Sequence, residues 1–338
     1  MPSTQETPTR RIEGTPRVVV TRALSPSIQQ RMDELFDCRF NESDEPMSRD
    51  DLVEAMRECD VLVPTVTDRI DGSMLEAAGD RMRLIASFGA GTDHIDLAAA
   101  AARRITVTNT PSVFTEDTAD LAMALIIGVP RRIREGVALV RRGEWSGWAP
   151  TAMLGRKLAG KTLGIVGMGR IGQAVAHRAK AFGLDIAYHN RKRLPEAVER
   201  MFAATYVESM DELLAQTDIL TLHCPSNPDS HHMIDAHAIG RMKAGSCLIN
   251  TARGDLVDQD ALVEALESGH LAGAGLDVYP DEPQVDPRLL AHPNVMTLPH
   301  IGSATAEGRE ASGEKVIANI RIWADGHRPP DQVLDALL

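Results

Sequence analysis

The sequence predicts an α/β protein built as two Rossmann-like, doubly wound domains. Three observations carry this. Short β-branched runs alternate with helical spacings along 338 residues, which implies parallel sheets joined by right-handed crossovers. That length suggests two domains, and the strand series restarts at Thr162 after a helical and basic stretch. Finally, the apolar run Leu163–Val166 leads straight into Gly167-Met168-Gly169-Arg170-Ile171-Gly172, a G-x-G-x-x-G between a strand and a helix expected over Gln173–Phe182.

The elements follow in order. Met1–Pro16 is rich in Thr, Pro and charge and has no apolar h-region, so it reads as a disordered extension and not as a secretory signal. Arg17–Thr21 is a strand and Ile28–Phe36 a helix. Val61–Val66, Leu84–Ser87 and Ile105–Asn109 are further strands, the second followed by the glycine turn Phe88-Gly89-Ala90-Gly91. This first block has no glycine fingerprint. Glu116–Val129 has a long apolar helical pattern with acids in its first turn. Arg131–Pro150 is basic, carries Trp145 and Trp148, and reads as an exposed connection or arm. Six strands then follow: from Thr162, Asp185–His189, Ile219–His223, Ser246–Asn250, Ala272–Asp277 and Asn294–Leu298. That is the number a dinucleotide-binding domain needs. A last helix spans Ala304–Trp323, and the tail with Pro329-Pro330 is expected only to pack on the surface.

Bulk properties exclude several classes. The formal net charge of −12 argues against nucleic acid or an anionic membrane as partner, so an anionic ligand must meet local positive groups. No apolar run approaches the ~20 residues of a membrane span. Cys38, Cys59, Cys224 and Cys247 form no C-x-x-C pair and show no zinc spacing; no metal is expected, and isolated thiols fit a reducing cytoplasm.

Each fingerprint glycine answers a need of a bound dinucleotide. Gly167 allows the tight turn, Gly169 lets backbone approach the pyrophosphate, and Gly172 lets helix and strand pack closely. An acid is expected ~20 residues further on, to bond the ribose diol. Here Asn190 takes that place, followed by Arg191, Lys192 and Arg193. Asn190 does not repel a 2′-phosphate, and Arg191 or Arg193 can pair with one. NADP is therefore the favoured cofactor, with NAD as the alternative if the turn is merely solvated.

Three residues at successive strand ends form a constellation. Arg253, in Asn250-Thr251-Ala252-Arg253-Gly254, can fork onto a carboxylate. Asp277 ends the next strand, and Glu282 follows in a proline-bounded turn. His300 lies in Leu298-Pro299-His300-Ile301-Gly302-Ser303. Singly, each has a bland reading, as a surface arginine, an exposed acid or a structural histidine, among 36 Lys and Arg, 48 Asp and Glu and 11 His.

With these stretches the chain resembles the D-isomer-specific 2-hydroxyacid dehydrogenases from Arg17 to about Trp323. The loop Phe88–Asp96 also looks like that family's substrate-domain loop. The resemblance implies a flavodoxin-like substrate domain of residues 1–110 and 302–338, and a dinucleotide-binding domain of 111–301. An arm near 131–150 would serve a homodimer through its tryptophans. It implies that Arg253 binds the carboxylate and polarises the keto group, that His300 donates the proton, and that Glu282 is its partner. A carboxylate beside an imidazole favours the protonated ring, which makes a proton available near neutral pH. It further implies cofactor contacts from Arg170 and Ile171 at the pyrophosphate, Asp277 near the nicotinamide amide, and Thr118, Cys224, Thr251 and Gly302. Gly89, Ala90 and Gly91 would give backbone donors to the substrate, in a cleft that closes on binding.

The basic turn at Arg191 and the loop at Val66-Thr67-Asp68 resemble glyoxylate/hydroxypyruvate reductases. The expected reaction is hydride transfer to a small 2-keto acid, glyoxylate or hydroxypyruvate first. The alternatives are a dinucleotide-sensing, corepressor-like binding protein or a dehydrogenase of another substrate preference.

Overall fold

The structure is a computed structural model that describes residues 14–333. In chain order its strands are β1 (Arg17–Val20), β2 (Asp37–Phe40), β3 (Val61–Val63), β4 (Leu84–Ala86), β5 (Thr106–Thr108), β6 (Thr162–Val166), β7 (Asp185–His189), β8 (Ala204–Tyr206), β9 (Ile219–Leu222), β10 (Ser246–Asn250), β11 (Leu271–Leu276) and β12 (Val295–Thr297). The helices are α1 (Pro26–Leu35), α2 (Arg49–Glu58), α3 (Gly72–Ala77), α4 (Leu97–Ala102), α5 (Thr115–Gly128), α6 (Ile133–Arg141), α7 (Arg170–Ala181), α8 (Glu196–Phe202), α9 (Met210–Gln216), α10 (Ala236–Arg241), α11 (Gln259–Glu267), α12 (Pro287–Ala291) and α13 (Ala306–Ala324). Two compact units result. One comprises the chain up to Phe114 and from Ala304 on, the other Thr115–Ser303. Among the described residues, no helix is long and apolar enough to cross a membrane.

The first unit has a five-stranded parallel sheet in the order β2-β1-β3-β4-β5. Its central strands read VVV, VLV and LIA and are buried on both faces, as a sheet covered on two sides requires. Alternation sorts their side chains. Val18, Val20, Val61 and Val63 pack with Ile28 and Met32 of α1 and with Ile317 and Trp323 of α13. Val19, Leu62 and Ile85 face the other way, onto Met56 of α2 and Leu75 of α3. Asp71, Asp96 and Thr305 cap α3, α4 and α13, and Ser48 with Asp51 forms a capping box on α2.

The second unit has a seven-stranded parallel sheet in the order β12-β11-β10-β9-β6-β7-β8. The direction of winding reverses between β6 and β9. In such sheets, ligands bind outside the carboxyl ends of the strands at this point. Leu163 and Ile165 of β6 face α5 and α7, while Val166, Leu220, Leu222 and Leu248 face the layer holding α9, α10 and α11. Gly172 lies where α7 crosses β6: a Cβ there would stand 2.4 Å from the Gly167 carbonyl oxygen and 3.3 Å from Ile165.

Several expectations are corrected. The sheet has seven strands, not six, because β8 is a three-residue edge strand too short to show a period. The first block gains β2, whose DCRF alternation spans only four residues and so does not stand out, and the short, polar or alanine-rich helices α2 to α4. The expected extension 1–16 falls mostly outside the described residues, but Pro16 is buried and its carbonyl accepts from Asp37 N–H at 3.0 Å. The tail does more than cover surface. Val333 N–H donates to Val107 at 2.9 Å, and Asp331 pairs with Lys315 Nζ at 3.0 Å, extending the β5 edge. The stretch 131–150 contains a helix, α6, with no buried residue; Ile133, Val137 and Val140 lie on one exposed face, and Trp145 and Trp148 are exposed beyond it.

The close crossing at Gly172 gives a stability prediction. Gly167 and its carbonyl cannot yield without moving the turn, so Gly172→Ala should lower unfolding stability by about 1–3 kcal/mol. Urea unfolding measures this. An unchanged midpoint and slope would contradict the packing described.

Candidate active site

β6 ends at Val166, and Gly167 turns the chain with φ +92°. A Cβ on Gly167 would also collide with the His223–Cys224 backbone at 2.6 Å, so the position requires glycine twice over. Gly169 is the N-cap of α7. It offers no capping side chain, and a Cβ there would meet nothing within 4 Å. The first-turn amides of Arg170 and Ile171 therefore open onto free space with the positive end of a 12-residue helix behind them. Arg170 is exposed, with no hydrogen bond or ion pair to a described residue.

The basic turn after β7 divides its residues between roles. Asn190 Oδ1 accepts from Met168 N–H at 2.7 Å, which ties the turn to the glycine loop. Arg191 is exposed and has no partner among the described residues. Arg193, expected as a second phosphate partner, is instead committed to Glu199. Its Nε and Nη2 donate to the two carboxylate oxygens, each at 2.8 Å, and its guanidinium lies 5.5 Å from the Tyr206 ring centre. Glu199 is buried and also accepts from Tyr188 Oη at 2.7 Å. Arg193 and then Tyr188 hold its carboxyl down to about 2.

Two further strand ends and one residue of α5 add to this set. After β9, the half-buried His223 has its ring pushed down to about 3 by loss of solvent; its buried Nδ1 has no partner among the described residues. Cys224 follows, its thiol pushed up to about 11 by burial. After β10, Thr251 is buried with its Oγ1 unpartnered among the described residues. Thr118 of α5 donates through Oγ1 to the Gly302 carbonyl at 3.1 Å. Free helix amides, an unpaired arginine and an orphaned buried hydroxyl make a donor set that suits a pyrophosphate and a ribose. The residues present fit a dinucleotide.

The expected catalytic residues stand at the ends of β10, β11 and β12. Arg253 has an extended backbone. Its carbonyl accepts from Asn250 Nδ2 at 2.7 Å, and its Nη1 donates to Ala252 O at 2.7 Å. His300 has φ +54°, a left-handed conformation that a non-glycine residue holds only when its surroundings impose it. Asp277 imposes it. One carboxylate oxygen accepts Ile301 N–H at 2.8 Å and the other Gly302 N–H at 2.7 Å. Asp277 is fully buried, and burial pushes its carboxyl above the usual range against the pull of those two amides. The sequence reading places Asp277 near the nicotinamide amide; the structure adds that its two oxygens hold the histidine loop.

Glu282 Oε2 lies 2.7 Å from His300 Nδ1, and its Oε1 accepts Tyr279 N–H at 2.9 Å. Burial pushes the Glu282 carboxyl up. His300, the Tyr279 amide and the Arg253 charge outweigh that and leave it below the usual range. A carboxylate at Nδ1 assigns that nitrogen its proton and leaves Nε2 as the working end of the ring. Tyr279 Oη lies 3.1 Å and 3.0 Å from the carbonyls of Leu276 and Leu298, bridging the two strand ends that carry Asp277 and His300. The sequence reading passed over this role, because only the bridge distinguishes Tyr279 from a core aromatic. Among the described residues, no group of three or more His, Cys, Asp or Glu is placed to hold a metal ion.

Gly89, Ala90 and Gly91 belong to the first unit, in the loop after β4. The Gly89 and Ala90 carbonyls accept from Thr110 N–H at 2.9 Å and Asn109 Nδ2 at 2.7 Å. The loop is thus pinned by its carbonyls, while its three N–H groups have no acceptor among the described residues. Such a loop is preset to receive an anion.

Comparison with known proteins agrees with this geometry. Residues 123–302 match the profile of the D-isomer specific 2-hydroxyacid dehydrogenase, NAD binding domain. The chain is 45% identical over 322 residues to a glyoxylate reductase of Thermococcus litoralis, covering 94% of this chain and 96% of that protein. A solved D-isomer specific 2-hydroxyacid dehydrogenase from Polaromonas superposes with a TM-score of 0.89 at 38% identity, covering 95% of this chain and 100% of that one. An NADPH-dependent glyoxylate/hydroxypyruvate reductase from Sinorhizobium meliloti, solved with NADP and malonate, superposes with a TM-score of 0.85 at 33% identity, over 95% and 97% of the two chains. The chain belongs to the D-isomer specific 2-hydroxyacid dehydrogenase family.

Proposed function

We propose that the protein reduces a small 2-keto acid, glyoxylate or hydroxypyruvate first, to the D-2-hydroxy acid, with NADPH as the favoured cofactor. The observation that carries this reading is the His300–Glu282 pair, 2.7 Å apart, with Arg253 at the neighbouring strand end. The Thermococcus and Sinorhizobium relatives, both named for glyoxylate reduction, support the substrate class.

Gly167–Gly172, Thr251 and Thr118 would hold the dinucleotide, with Arg170 and Ile171 at its pyrophosphate and Cys224 and Gly302 lining it. When bound, the nicotinamide supplies the hydride. Arg253 takes the substrate carboxylate in a fork and draws electron density toward the keto oxygen. His300 gives that oxygen a proton from Nε2, and Glu282 stabilises the imidazolium before the transfer. Asp277 holds the histidine loop. The Gly89–Gly91 amides serve the substrate carboxylate from the first unit, which we assign as the substrate domain. The apolar face of α6 with Trp145 and Trp148 is the proposed homodimer contact; sedimentation at the mass of one chain would reject it.

On glyoxylate and hydroxypyruvate, His300→Ala should lower kcat about 10²- to 10⁴-fold. Turnover within a few-fold of wild type would remove the proton-donor assignment, and a wild-type protein inert toward every two- to four-carbon 2-keto acid would remove the function.

The Glu282 carboxyl lies below its usual range, so its charge is present at neutral pH and is lost only on acidification past that range. Glu282→Gln removes the anion. Activity at neutral pH should then fall, and the loss on acidification that protonation of Glu282 causes in the wild type should disappear; unchanged turnover with an unchanged acidic limb would show that the Glu282 charge does not serve the site.

The basic turn separates two arginines. Arg191→Ala should reduce the NADPH-over-NADH ratio of kcat/KM about 10- to 100-fold, the worth of a charged hydrogen bond. Equal loss with both cofactors would refute the contact. Arg193→Ala should leave that ratio unchanged and destabilise the fold, because Glu199 stays buried without its partner. The Glu199 carboxyl is depressed, so the pair's stabilisation is full above the usual glutamate range and is lost as pH falls through about 2. The stability gap between Arg193→Ala and wild type should accordingly narrow on acidification, as unfolding curves at several pH values would show.

A further inference from the structure

The His300–Glu282 pair joins two loops, one after β12 and one after β11, so its 2.7 Å spacing depends on what holds each loop. Beyond His300 the chain is held well, since the Ile301 and Gly302 amides both bond Asp277. Ahead of His300 the hold is thinner. Leu298 N–H donates to the Leu276 carbonyl at 2.8 Å, and Pro299 has no N–H to give. Tyr279 supplies a second anchor there, with Oη donating to the Leu298 carbonyl at 3.0 Å. This hydroxyl has one proton, and the Leu276 carbonyl, 3.1 Å away, already receives Leu298 N–H. The Leu298 carbonyl is therefore the acceptor that needs it. Tyr279 is buried, and burial pushes its hydroxyl up to about 12, so the donor proton is present throughout the neutral range.

The same residue reaches the other two members of the site. Its backbone N–H donates to Glu282 Oε1 at 2.9 Å, which leaves Oε2 for His300 Nδ1. Its peptide seats the Arg253 loop. A Cβ on Gly254 would stand 2.0 Å from the Tyr279 carbonyl carbon and 2.3 Å from Pro280 N, so the residue after Arg253 rests on this peptide with no side chain between them. All of these residues lie within the one unit Thr115–Ser303. Arg253, Glu282 and His300 are thus referred to a common point by one aromatic residue and its backbone.

We propose that Tyr279 is a positioning residue for the proton-transfer pair. Its hydroxyl fixes the segment leading into His300 while its amide fixes Glu282, so that Nδ1 and Oε2 stay in register and Nε2 keeps one direction. The inference rests on the keto-acid reading above, and it assigns Tyr279 no contact with substrate or cofactor. Proton transfer needs donor and acceptor within hydrogen-bond reach, and small misplacements remove much of its effect. A tyrosine that only filled the core would give way to phenylalanine with no change in turnover, because the ring volume is kept. The hydroxyl separates the two roles.

Steady-state kinetics on glyoxylate and hydroxypyruvate with NADPH test this in wild type, Tyr279→Phe, His300→Ala and the double variant. Phenylalanine keeps the ring that fills the core and removes only the hydroxyl. Tyr279→Phe should lower kcat about 3- to 10-fold on both acids, the worth of one neutral hydrogen bond. KM for the acid should stay within about twofold, as should the NADPH Kd from fluorescence titration. In the His300→Ala background the same substitution should lower kcat by less than about twofold, because the hydroxyl then has no imidazole to place. That non-additivity is what a purely structural role would not produce. An unchanged kcat in Tyr279→Phe would overturn the proposal while leaving the keto-acid reading intact. So would a loss that falls mainly on KM or on NADPH binding, or one that multiplies in full with that of His300→Ala. A wild-type protein inactive on both acids and on every other two- to four-carbon 2-keto acid would remove both.

Discussion

The parallel pairing of β10, β11 and β12 is the constraint on which the candidate site depends. Asn250 lies opposite Leu276, and Leu276 opposite Thr297, so the three strands end together. Parallel strands all deliver their carboxyl ends to one edge, whatever the sequence distance between them. Arg253, Asp277 and His300 each lie one to three residues beyond those paired positions. The register turns three remote residue numbers into one cluster. Glu282 is the exception, since it sits further out and needs its own anchor, which the Tyr279 amide supplies at 2.9 Å.

Register alone does not orient a side chain. His300 is held left-handed, a state that few non-glycine residues adopt though histidine does so more readily than most, with two amides of the following residues bonded to one buried carboxylate. Asp277 in turn is buried at a cost that those amides offset only in part, which is why its carboxyl lies above the usual range. The strain of one residue and the desolvation of another are thus placed back to back. Such pairs persist where the surrounding structure over-determines them, and they preset a catalytic ring before substrate arrives.

The legible part of the protein was what periodicity and glycine spacing encode. Buried strands such as Val61–Val63 and Ser246–Asn250 are apolar runs, and Gly167–Gly172 announces its own turn. The edge strands β2 and β8 were not legible, because runs of four and three residues are too short to establish a period. His300 and Glu282 could be singled out by place and resemblance, but their pairing distance could not. Arg193 shows the limit most clearly. Its position in a run of three cations suits a phosphate, yet Glu199, six residues on, occupies its fork from the buried end of α8.

That contrast gives a way to sort arginines in an acidic chain. A guanidinium engaged by carboxylates of its own chain, Arg193 by Glu199 and Arg178 by Glu116 and Asp120, stabilises the fold locally and has fewer donors left for a ligand. One fully in water, like Arg191, keeps its donors but pays little for waiting, so it can tune affinity for a ligand that reaches the surface. Burial and partner together, rather than charge or sequence position, separate a structural cation from a binding one.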